Sequence, residues 1–227
     1  MSEHLAAYEA IRARLDDLLR GSAGADAVPS CPAWSVRDVV AHLTGLCEDW
    51  VSNRLLGYAS DEWTAAQVAR FEGRTLDEIL DAWAACAPAF AALPDDELMG
   101  PPARWAFGDA VTHEADIRAA VGASRSPEDT VRGSLKVAIP RWRAALAEAK
   151  VPTLLARVRG AREWWLGEHD DPDAVVVDVD AYDLFRALAG RRSAGQVRAW
   201  GWTRDPTPYI EAGIGFPFVW ATDDIVD

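Results

Sequence analysis

The stretch WSVRDVVAHLTG, residues 34–45, decides how the chain is read. Ser35 stands before an apolar run with Asp38 three residues on, the pattern of a capping box that opens a helix. Val36, Val39, Val40, Leu43, Leu46, Trp50 and Val51 then recur at helical spacing, which predicts a helix to about Leu56. Positions in a helix advance by about 100° per residue, so His42 lies close in angle to Val39 and Leu46. An imidazole therefore sits on the buried stripe, where it needs a partner.

Working outward, the chain divides near residue 150. Before it, Leu5, Tyr8, Ile11, Leu15, Leu18 and Leu19 predict an amphipathic helix over 3–20. Thr75 and Glu78 form a second capping-box pattern, opening a helix that carries Pro88. LPDDELMGPP, residues 93–102, reads as a loop. A helix over 105–121 is closed by Gly122, and another covers 127–149 with Pro127 in its first turn. After Lys150 the period changes. TLLARVRG, REWWLGE, AVVVDV and QVRAWGW read as strands, and AYDLFRALAGRR as a helix ending at Gly190. The second and third strands are joined by the acidic stretch HDDPDA, which places His169 at a hairpin tip. The expectation is α+β: a helical bundle over 1–149, then a small α/β domain over 150–227.

The chain has 227 residues, 50% of them hydrophobic, enough for a substantial core. With 23 basic against 36 acidic residues its net charge is −13, which argues against nucleic acid or an anionic membrane surface as partner. No apolar run approaches the roughly 20 residues of a membrane span, and no signal peptide is visible behind Met1. Three cysteines without a CxxC pair suggest reduced thiols in a cytoplasmic protein. The 11 tryptophans read as core and seam fillers. GIGF near residue 215 lacks the lysine and helix of a phosphate loop, and no G-x-S-x-G elbow occurs. Cys47 lies about 140° round the helix from His42, which rules against a Cys–His nucleophile pair.

The chemistry is carried by a second stretch, DAVTHEAD, residues 109–116. Asp109 and His113 are four apart and share a helix face with Ala106, Ala110, Ile117 and Ala120. An imidazole and a carboxylate at that spacing can chelate a divalent ion, and His42 from a facing helix would complete a triad. Two His and one carboxylate leave a coordination position open, the mark of a catalytic rather than a structural centre. On spacing alone, the commoner outcome is an Asp–His hydrogen bond and a satisfied core His. Asp116, three past His113, could orient that ligand from behind, or pair with a neighbouring helix. Glu114 is turned about 100° away and reads as solvated.

CPAWSVRDVVAHLTG, residues 31–45, resembles the second-helix motif of the mycothiol-dependent maleylpyruvate isomerase family, within the wider DinB-like metalloproteins. A second family motif, carboxylate–three residues–His–two residues–Asp, is met by Asp109, His113 and Asp116, with Asp109 where the family usually has Glu. The resemblance implies a DinB-like up-down four-helix bundle with a small α/β C-terminal domain. It implies a divalent metal, usually Zn²⁺, on His42, Asp109 and His113, with mycothiol as thiol cosubstrate. The implied reaction is cis–trans isomerisation of maleylpyruvate to fumarylpyruvate. In it the thiolate adds to the activated double bond, the new single bond rotates, and the thiol is expelled. An Arg of the C-terminal domain is implied to hold substrate carboxylates. Arg198 is the candidate, with Arg191 and Arg192 nearby; ordinary surface charge is the other reading of this group. The partner would be a small molecule, acted on by a monomer or homodimer. A thiol S-transferase, a hydrolase, a metal- or ligand-binding protein without turnover, and a hydrogen-bonded relic that only mediates contacts remain open.

Overall fold

The computed structural model describes residues 2–94, 100 and 102–227. Its helices are α1 (Glu3–Leu19), α2 (Val36–Val51), α3 (Asp61–Ala69), α4 (Leu76–Ala91), α5 (Pro102–Ala120), α6 (Glu128–Glu148), α7 (Ala181–Leu188), α8 (Ala194–Arg198) and α9 (Thr207–Glu211). Its strands are β1 (Leu154–Arg159), β2 (Trp164–Leu166), β3 (Val175–Asp180) and β4 (Gly201–Trp202). The architecture is α+β, and the chain forms two compact units, Met1–Ser126 and Pro127–Asp227. Most of the expected 93–102 loop lies outside the described residues.

In the first unit α1 packs on α4 and α5, and α2 on the same two, closing a four-helix ring. Side-chain pairs fix the directions. Tyr8 meets Trp83 and Phe90 while Arg20 reaches Asp81, so α1 and α4 are antiparallel. His4 meets Phe107 and Arg14 meets Glu114, so α1 and α5 run together. His42 meets Asp109 while Cys31, just ahead of α2, meets Asp116, so α2 and α5 are antiparallel. Within the ring Trp83 Nε1 donates to the Tyr8 hydroxyl at 2.7 Å, so a large buried aromatic leaves no open donor there.

The local signals set these elements. Both expected capping boxes are present, Ser35 with Asp38 and Thr75 with Glu78. Helix α2 stops at Val51 rather than near Leu56, because Asn53 takes a left-handed φ of 52° and Arg54 N–H turns back to the Asp49 carbonyl. Helix α3 is not foreseen. It is capped by Ser60, and Gln67 is its single fully buried residue, so it has no apolar stripe to betray it.

The second unit starts earlier than expected. Helix α6 packs on α7, so the boundary lies at 126/127 rather than 149/150. Its sheet runs β2-β1-β3-β4, with β1 antiparallel to β2 and parallel to β3. Because β2 and β3 flank β1, the acidic stretch between them is a crossover and not a hairpin. His169 there is exposed and pairs with Asp170 at 2.8 Å. The stretch read as one strand, 196–202, begins as helix α8. Ser193 and Gln196 form a capping box, and only Gly201–Trp202 pairs with β3.

Gly45, on α2, faces α3: a Cβ there would stand 2.6 Å from Gln67 Cβ and 3.1 Å from its Cα. Gly→Ala inside a helix ordinarily stabilises by about 1 kcal/mol. Here overpacking of about 1–3 kcal/mol should reverse the sign. Gly45→Ala is expected to lower the denaturant midpoint, and a raised midpoint would contradict this packing.

Candidate metal centre

Helices α2 and α5 bring His42, Asp109 and His113 together. One ligand atom from each lies within 4.8 Å of the others. His42 Nε2 stands 2.9 Å from Asp109 Oδ2, and His113 Nε2 stands 3.7 Å from Asp109 Oδ1. Donors 2.0–2.1 Å from a tetrahedral ion stand roughly 3.3 Å apart, and the two observed separations bracket that value. The three donor groups thus lie near the spacing a divalent ion requires, the two separations being to different oxygens of Asp109. The imidazoles lie 5.2 Å apart, nearly perpendicular, with both rings buried. The Asp109 side chain is 31% exposed, so the cluster opens to solvent on its side.

Each imidazole is held from behind through Nδ1. His113 Nδ1 lies 3.0 Å from Oδ2 of the fully buried Asp116. His42 Nδ1 lies 2.7 Å from Gln67 Oε1. Trp34 packs beside both rings, tilted to each, with centroids 5.3 Å from His42 and 6.2 Å from His113. Burial by itself would drive the His113 pKa down. The Asp109 charge and the bond to Asp116, aided by Cys31, outweigh it and raise the pKa to about 10.

Three further groups border the cluster and carry no spacing signal in the sequence. Gln67 arrives from α3. Cys31, in the loop before α2, places its Sγ 3.8 Å from Asp116 Oδ2 and forms a second close group with Asp116 and His113. Burial and then the charge of Asp109 push the Tyr58 hydroxyl above its usual range, so it stays a donor. The second motif also misleads at one position. Glu114 is fully buried rather than solvated, held by two 2.8 Å bonds from Arg14 and by Arg118. This ties α1 to α5 one residue along from His113.

In the second unit Arg198 closes α8 and donates to Thr207 Oγ1 at 2.9 Å, with Asp205 at 3.8 Å. Arg191 donates to the Ala189 carbonyl. Arg192 is buried, not surface charge; it pairs with Asp227 at 2.7 Å and Asp183 at 3.0 Å. No helix among the described residues is long and apolar enough to cross a membrane.

Two solved structures share this architecture. One is a crystal structure of a mycothiol-dependent maleylpyruvate isomerase, with TM-score 0.57, 16% identity, and coverage of 89% of this chain and 92% of the other. The other is a histidine-to-alanine mutant of a protein with that name, with TM-score 0.56 at the same identity and coverage. At that identity the likeness is one of fold. No curated protein matches the chain. The family model described as the mycothiol maleylpyruvate isomerase N-terminal domain matches residues 8–121, which include α2, α3 and α5 and every member of the cluster. The chain belongs to the mycothiol maleylpyruvate isomerase family.

Proposed function

We propose that the chain is a metal-dependent, mycothiol-dependent enzyme of the maleylpyruvate isomerase type, acting on a small electrophilic enedioic acid in the cytoplasm. His42, Asp109 and His113 hold the ion, which we take to be Zn²⁺. The observation that carries this reading is the convergence of three ligand atoms within 4.8 Å, each imidazole being supported at Nδ1. The ion, when bound, would supply a Lewis-acid position able to stabilise a thiolate. The protein's own groups do the rest. Asp116 and Gln67 hold the two imidazoles in place. Trp34 packs its indole against both rings. Tyr58 keeps its proton beside Asp109 and can donate to a developing negative charge. Arg198 is the proposed anchor for a substrate carboxylate.

Purified protein should carry about one metal ion per chain, measured by elemental analysis, and His42→Ala and His113→Ala should each lose it. With mycothiol present, the loaded protein should convert maleylpyruvate to fumarylpyruvate. Full metal retention in both variants would remove the centre. Metal binding without this turnover would point to a thiol transferase or hydrolase on the same scaffold.

The His113 shift fixes a pH dependence. In metal-free protein the ring is protonated at neutral pH, and an ion needs its Nε2 lone pair. Uptake therefore releases a proton, and apparent affinity should rise about tenfold per pH unit up to about 10. Chelator competition at pH 6, 7 and 8 measures this, and a flat profile would contradict the assignment of His113.

A further inference from the structure

Behind His42 runs a buried chain of hydrogen bonds that leads away from the metal ligands. His42 Nδ1 meets Gln67 Oε1 at 2.7 Å, and Gln67 Nε2 donates to Asp49 Oδ2 at 2.8 Å. Asp49 Oδ1 accepts from Arg70 Nη2 at 2.7 Å and from Arg54 Nε at 2.8 Å. Gln67 is 0% exposed, Asp49 1% and His42 5%. Asp49 lies two helical turns after His42 on the same face of α2, and Gln67 fills the space between them.

The chain has a direction that its chemistry fixes. A carboxylate offers only acceptors, so Gln67 must turn its NH₂ toward Asp49. Its carbonyl oxygen then faces His42, and Nδ1 of His42 must be the donor. The proton on Nδ1 is thereby committed, and Nε2 is the nitrogen left for exchange. Nε2 points at Asp109 Oδ2 across 2.9 Å. A lone pair and a carboxylate oxygen at that distance need a proton or a metal ion between them.

We propose that Asp49 and Gln67 are positioning residues that fix the His42 proton on Nδ1 and so reserve Nε2 for the metal. Their construction supports this. Helix α3 buries one residue completely, and that residue is Gln67. Gly45 leaves the room that Gln67 Cα and Cβ occupy. Arg54 and Arg70 hold the Asp49 carboxylate from the far side, so its second oxygen stays aimed at the amide. The metal part of this inference rests on the reading in the preceding section; the proton placement does not.

Asp49→Asn is the isosteric test. The two arginines keep the Asn oxygen, so its NH₂ faces Gln67. The Gln67 amide must then rotate and present NH₂ to His42, which makes Nδ1 an acceptor and moves the ring proton to Nε2. ¹⁵N NMR of metal-free protein should show His42 Nδ1 protonated in the wild type and unprotonated in Asp49→Asn. Zn²⁺ affinity, measured by chelator competition, should fall about 10- to 100-fold, with the circular dichroism spectrum unchanged. Gln67→Met, which keeps the bulk and removes both bonds, should weaken Zn²⁺ binding by a similar factor and serves if the Asn variant does not fold. Unchanged Nδ1 protonation, or unchanged Zn²⁺ affinity with only a lower melting temperature, would overturn the proposal. A wild type that binds no Zn²⁺ would sink the metal reading, while the NMR comparison would still decide the proton placement.

Discussion

A polar side chain shut inside an apolar bundle must find a partner or destabilise the fold by several kcal/mol. The first unit is arranged around that requirement. Glu114 is answered by Arg14 and Arg118, and Asp49 by Arg54, Arg70 and Gln67. The buried groups His42, His113 and Asp116 close on one another and on the half-open Asp109. The buried carboxylates Glu114 and Asp49 are thus met by arginines, Arg118 from the same helix and Arg14, Arg54 and Arg70 from neighbouring segments. At Asp109 and Asp116 the carboxylates face the imidazoles of His42 and His113.

The bundle makes this knot possible through helix direction. Because α2 and α5 are antiparallel, Asp109 meets His42 while His113 and Asp116 meet the loop that precedes α2. Trp34 and Cys31 reach the cluster from that loop. Helix α3 adds one buried amide on the opposite side of His42. The shortness of the Asp109 side chain matters in this setting. Its two oxygens nonetheless face both Nε2 atoms, at 2.9 Å from His42 and 3.7 Å from His113, because the bundle sets the α2–α5 spacing. At 16% identity to its solved neighbours the chain shares an architecture with them.

What the sequence determined by itself was local. Capping boxes at Ser35 and Thr75, the apolar stripes of α1, α2 and α4, and the Asp109–His113 spacing are short-range patterns, because helix start and face depend on neighbours within a few residues. Where local signals compete or are weak, the structure departs from the sequence pattern. A capping box at Ser193 turned an expected strand into α8, a left-handed Asn53 ended α2 early, and α3 had no stripe to show. Only the tertiary structure decided which polar groups meet. Glu114 looked solvated until Arg14, 100 residues away, was folded against it. Gln67 and Asp49 gave no sign of belonging to His42. Hydrogen bonds across helices depend on direction, register and spacing between segments, and no periodicity within one segment encodes those.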